Sequence, residues 1–116
     1  MAETSIVDLE RLWKERCEKG TFSAAILGLG TIQVMGKSGD TALQFPRIAS
    51  LDVLSELEPD EQYAVQTAET IIRQAGEQNR TVYVLEHEKA PERITTFRPD
   101  VETILIVARV AGGLAV

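Results

Sequence analysis

One cysteine and one histidine stand among 116 residues, and aromatic rings are few: three Phe, two Tyr and one Trp. Each scarcity narrows the field. A lone Cys17 excludes a disulfide within the chain, so a reducing, cytoplasmic setting is the expectation. A lone His87 leaves no set of nitrogen and sulfur ligands for a metal, and none of the spacings that metal sites use is present. With so few rings the core must be mostly aliphatic, and base-stacking platforms of the kind that bind single-stranded nucleic acid are not expected. Long apolar runs are missing too: the longest falls well short of the ~20 residues that a membrane-spanning helix needs. Met1 to Asp8 has neither a basic start nor an apolar run, so no signal peptide is expected.

Positive charge is in the minority. Eighteen acidic residues against twelve basic ones give a net charge of −6, and residues 1–78 hold thirteen of the acids and seven of the bases. Phosphate backbones are bound by Lys and Arg that neutralise them, so this balance argues against nucleic acid. What remains is ordinary for a globular chain, with 44% hydrophobic and 26% charged residues, and the length fits one domain over 1–116. Residues 1–4 and 111–116 are expected to be loosely ordered.

The pattern along the chain alternates between helical and extended periods. Ile6, Leu9, Leu12, Trp13 and Cys17 form an apolar stripe at helical spacing, Ser5 with Asp8 suggests a capping box, and Gly20 suits the left-handed residue after the helix. Thr21 to Leu27 reads as a strand, Gly28-Leu29-Gly30 as a hairpin connection and Thr31 to Met35 as a second strand. Lys37-Ser38-Gly39-Asp40 is a turn. Thr41 to Phe45 is a third strand or an extended edge ending at Pro46. Leu51, Val53, Leu54 and Leu57 suit a short helical turn.

Pro59 to Gly76 is the clearest helix. Proline stands at its first position, Asp60 and Glu61 complement its dipole, and its apolar face is mostly small. Thr81 to Leu85, Arg93 to Phe97 and Glu102 to Val110 then read as strands, with turns at Lys89-Ala90-Pro91 and Pro99-Asp100. The unbroken run Ile104 to Val107 implies a strand buried on both faces. The expected fold is α+β: a mixed or antiparallel sheet of five to six strands with two main helices packed on it.

Several residue groups are candidates for chemistry. Gly36-Lys37-Ser38 resembles the end of a phosphate-binding loop. That loop requires a glycine at position 31, where Thr31 stands, and a following helix, where Gly39-Asp40 follows instead. Gly28-x-Gly30 lacks the third glycine of a dinucleotide loop. Cys17 lies on an apolar stripe, as a small core residue would, and a thiol nucleophile needs a base to activate it. His87, between Glu86 and Glu88, has no evident orienting partner. No catalytic residue, cofactor or metal ligand is therefore expected. Asp52, Glu56, Glu58, Asp60 and Glu61 form an acidic cluster with no base between Arg47 and Arg73. They are candidate docking residues for a basic partner, and Arg93 and Arg98, near Lys89, form an opposite patch that suits a protein partner or self-association.

The order of elements resembles the roadblock / dynein light chain family. The matching features are Phe22-Ser23-Ala24-Ala25-Ile26-Leu27-Gly28, the hairpin to Ile32-Gln33-Val34, the alanine-rich helix Pro59 to Gly76, and a final strand from Glu102 to Val110. The likeness spans roughly residues 5–110. Thr41 to Leu57 is longer than the corresponding connection, and the closing helix that many members carry is missing. The resemblance implies a profilin/roadblock-like sandwich and a non-enzymatic homodimer that serves as a scaffold for a small Ras-like GTPase or a motor complex. The sequence leaves open an acidic α+β chaperone, a small-molecule-binding sensor domain and a small enzyme using Cys17 or His87.

Overall fold

The computed structural model describes residues 6–36 and 39–107. They form an α+β fold in the order α1 (Ile6–Lys19), β1 (Gly28–Gly36), β2 (Gly39–Arg47), a short 3-10 helix (Leu51–Glu56), α2 (Pro59–Glu77), β3 (Thr81–Leu85), β4 (Glu92–Ile94) and β5 (Thr103–Val107). The five strands make one mixed sheet in the order β2-β1-β5-β3-β4. β1 pairs antiparallel with β2 and parallel with β5, and β3 pairs antiparallel with both β5 and β4. The last strand in sequence is thus the middle strand in space. It closes the sheet by joining the first hairpin to the second.

Both helices stop where backbone geometry makes them stop. Gly20 takes φ 71 after α1, and its N–H donates to the Arg16 carbonyl at 2.9 Å. Asn79 takes φ 58 after α2. The Asn79 and Arg80 amides then donate to the carbonyls of Gly76 and Ala75 at 3.1 and 2.8 Å, the double closure that satisfies a helix C-terminus. The capping box expected at Ser5 lies outside the described residues, as do Lys37 and Ser38 of the hairpin turn and the stretch 108–110 expected to prolong β5.

The core lies between α2 and one face of the sheet. Ala68, Ile72 and Ala75 of α2 pack against Ile32, Val82, Val84, Ile104 and Ile106, and the small residues let the helix approach closely. A second cluster, Ile48, Leu57 and Val65, closes one end of the sheet together with Ala25, Ile26 and Phe97. Phe45 joins the first cluster, fully buried, with its ring edge-on to Phe97 at 5.5 Å. Directly across the ladder from Phe45 is Gly30. A Cβ on Gly30 would run into the Phe45 ring, so the missing side chain is what lets the ring lie on the strand.

Four expectations fail. Thr21 to Leu27 is a turn-rich loop: Ile26 N–H donates to the Ser23 carbonyl, and Ser23 N–H is taken by a carboxylate instead of a neighbouring strand. Gly28-Leu29-Gly30 is the beginning of β1, because alternation there serves the Phe45 contact rather than a turn. β2 runs through Pro46 to Arg47, which an edge strand tolerates since a proline there gives up no ladder bond. β5 is buried on one face only: Ile104 and Ile106 are covered, while Thr103, Leu105 and Val107 remain half-buried. In addition, the strand expected at Arg93 to Phe97 is the shorter Glu92–Ile94.

Candidate functional site

The acidic run at the start of α2 divides into an outer and an inner part. Asp52, Glu56 and Glu58 are exposed, whereas Asp60 is 2% and Glu61 0% exposed. Burial of a carboxylate is costly unless every oxygen is matched, and here each is. The Arg16 guanidinium, from α1, grips Asp60 in a two-pronged pair, Nε–Oδ2 2.7 Å and Nη2–Oδ1 3.0 Å. Glu61 accepts the Ser23 N–H at 3.0 Å, the Ser23 hydroxyl, and the Glu58 N–H at 2.9 Å, with Arg16 Nε 3.6 Å away. Hydrogen bonding to Asp60 is the main cause that raises the Arg16 pKa further above its ordinary value. One arginine and two carboxylates thereby clamp α1, the 21–27 loop and the α2 N-terminus together. Asp60 and Glu61 are consequently not part of an exposed docking patch, which leaves Asp52, Glu56 and Glu58 on the surface.

The basic patch is also changed. Arg98 is half-buried and lies 3.6 Å from Glu86, 3.6 Å from Glu92 and 3.8 Å from Asp100, and Lys89 pairs with Glu86 at 3.0 Å. Hydrogen bonding from Lys89 is the leading cause that holds the Glu86 carboxyl below its usual range. Arg98 therefore ties the β3–β4 turn to the loop before β5. Arg93 stays exposed at the β4 edge and makes no ion pair among the described residues.

Cys17 and His87 are not brought together. Cys17 lines a cleft of about 370 Å³ between α1, α2 and β2, with Trp13, Tyr63, Leu43 and Thr67 on its walls and Glu10 and Lys14 beside them; His87 is not among its lining residues. Burial, followed by the charges of Asp60 and Glu18, pushes the Cys17 thiol up, opposite to what a nucleophile requires. Tyr63 donates its hydroxyl to Glu10 at 3.0 Å, and burial together with that bond raises its pKa. Among the described residues no three His, Cys, Asp or Glu side chains gather as metal ligands, and no helix is long and apolar enough to cross a membrane.

The remaining feature is the sheet face turned away from α2. The register aligns Ala42, Gln33, Leu105, Tyr83 and Arg93 in one row across all five strands, with Leu105 at its middle. Thr31 and Thr103 pair in one neighbouring row and Thr81 with Val107 in another. These side chains are exposed or half-buried, and none belongs to either core cluster. Every described side chain that β1, β5 and β3 present on this face is uncharged, in a chain that is 26% charged.

No protein-family model matches the chain, and comparisons with curated proteins and with solved structures found no match. Sequence reasoning singled out the acids of α2 but missed Arg16 and Ser23, which neutralise them. Glu61 three residues after Glu58 is the spacing of a capping box, and that signal could have marked it as internal. Leu105 was hidden inside a continuous apolar run, where neither face stands out.

Proposed function

We propose that this chain is a non-catalytic interaction module that docks another protein on the uncovered face of its sheet. The observation that carries the reading is that face: five strands wide, covered by no element among the described residues, with Leu105, Tyr83 and Val107 set among Gln33 and threonines at its middle and without charge on its three central strands, where a fully solvated surface would carry several. Depletion of charge at the centre, with aromatic and aliphatic residues in its place, is the composition of interface cores. The resemblance to the roadblock / dynein light chain family implies the same class, although the hairpin it was matched on, Phe22 to Val34, is a loop leading into β1 and the observed hairpin is β1–β2. It extends the reading to a cytoplasmic scaffold whose docked protein is a small Ras-like GTPase. The test is co-purification of tagged chain from its native host, wild type beside Leu105→Arg. A stoichiometric protein retained by the wild type and lost by the variant is expected. Recovery of the same proteins by both would overturn the reading.

A second reading has one observation in its favour. The cleft that holds Trp13, Cys17 and Tyr63 is within the size range of small-ligand sites and has apolar walls with a few polar groups. A fluorescence titration of Trp13, the sole tryptophan, against a library of small aromatic and aliphatic compounds would detect an occupant.

A further inference from the structure

We propose that the outer edge of β2, with the cleft beside it, takes up an extended peptide segment of another protein as an added strand of the sheet. The segment runs antiparallel to β2 and sets one apolar side chain, with an acidic one next to it, into the cleft. This goes beyond docking on the uncovered face, and it gives the cleft of the second reading a peptide side chain as its occupant. Thr31 N–H donates to the Glu102 carbonyl at 2.8 Å, so Thr31 turns its peptide groups towards β5. Gln44, directly opposite Thr31, therefore turns its N–H and C=O away from β1, and Ala42, two residues back along the pleat, does the same. Trp13 Nε1 donates to the outward Gln44 carbonyl at 3.1 Å and ends the open run there. Ala42 N–H, Ala42 C=O and Gln44 N–H have no partner among the described residues.

Sheet edges are ordinarily blunted by shortness, charge or proline. β4, the other edge, has three residues. β2 has nine; Thr41 to Phe45 carry no charge, Thr41, Ala42 and Gln44 are exposed, and proline comes only at position 46. A peptide residue opposite Ala42 exchanges two hydrogen bonds with it, and Gln44 N–H supplies a third. The next peptide residue, opposite Leu43, points to the α2 side, because Leu43 pairs with the buried Ile32. On that side lies the cleft of about 370 Å³ walled by Trp13, Leu43, Tyr63 and Thr67, with room for a leucine or phenylalanine side chain. At its rim Glu10 already accepts the Tyr63 hydroxyl. Lys14 is exposed there and makes no ion pair among the described residues, so an acid at the next inward position of the peptide complements it. Backbone bonds that give affinity, and a pocket that reads alternate side chains, are the two parts of peptide recognition by strand addition. A second copy of this chain fits poorly. Each α1 flanks its own β2 edge through Trp13, and two copies paired edge to edge would drive their α1 helices together.

The probe is a random dodecapeptide library displayed on phage and selected on the immobilised chain, followed by anisotropy titration of one selected peptide labelled with fluorescein. Selected peptides are expected to share an apolar residue with Asp or Glu two positions away. Hydrogen exchange at the Ala42 and Gln44 amides should slow about tenfold or more when the peptide is bound. Ala42→Pro removes one outward donor and no ladder bond to β1, and should weaken the peptide about tenfold. Lys14→Glu, at an exposed position, should weaken it severalfold. If Ala42→Pro does not fold, the same loss is expected when the wild type meets a peptide N-methylated at the residue opposite Ala42. Leu105→Arg alters the docking face and not this edge, so peptide affinity should hold and the two sites can fail separately. A library that yields no peptide binding tighter than about 100 µM overturns the proposal. So does a peptide indifferent to both Ala42→Pro and N-methylation, or one lost on Leu105→Arg. A chain that sediments as a dimer sensitive to Ala42→Pro would make a second copy the occupant, and that result overturns the proposal as well.

Discussion

Glu61→Ala is expected to be the most damaging single change in the acidic run, although four other acids precede it within nine residues. The substitution removes the acceptor for Ser23 N–H, Ser23 O–H and Glu58 N–H at a site with no solvent exposure. A charge-assisted hydrogen bond is worth ~1.5–3 kcal/mol, but the three share one carboxylate and do not add in full. Breaking a buried charge network from one side costs ~3–5 kcal/mol, and the lost charge at the third position of α2 adds ~0.3–1 kcal/mol. A loss of about 4 kcal/mol is a large part of the ~6–17 kcal/mol that a domain of this length has. With a urea slope of ~1–3 kcal/mol per molar, the unfolding midpoint should fall by ~1.3–4 M. Asp52→Ala and Glu56→Ala, at exposed positions of the same run, should stay within ~0.5 kcal/mol of wild type. A Glu61→Ala variant that loses under ~1 kcal/mol at unchanged slope, or one no worse than Glu56→Ala, would refute the internal clamp.

Two further outcomes can be measured on the same material. Gly30→Ala should destabilise by ~1–3 kcal/mol in urea, since its Cβ would intrude on the buried Phe45 ring, and Phe45→Leu in the same chain should recover part of the loss by making room; a Gly30→Ala variant as stable as wild type would contradict the packing. Cys17, whose thiol is pushed up by burial and by Asp60, holds less thiolate at neutral pH than a free cysteine does. Its reaction with a disulfide reagent should be slower than that of a free thiol at pH 7 and should climb steadily as pH rises; a rate matching the free thiol would be inconsistent with the cleft.

Local patterns were sufficient for the elements that depend on local physics. The periodicity of Pro59 to Gly76, its N-terminal proline and its flanking acids identify α2 to within a residue of its observed end at Glu77, and β-branched Thr81 to Leu85 coincides with β3. Gly20 and its left-handed φ follow from the same logic, since a residue without Cβ reaches that region at little cost. The errors occurred where a residue's partner lies far away in sequence. Thr21 to Leu27 has a strand's composition, yet Ser23 bonds Glu61, thirty-eight residues on, and that bond replaces the ladder. Gly30 looks like a turn glycine until Phe45 is placed above it. Asp60 and Glu61 look like surface acids until Arg16 and Ser23 arrive from α1 and the loop. The middle position of β5, and with it the uncovered row through Leu105, was likewise set only by tertiary structure. An apolar run states that a strand is wanted inside, but which face a helix covers is decided by the pairing of β5 with β1 and β3 and by the side on which α2 crosses.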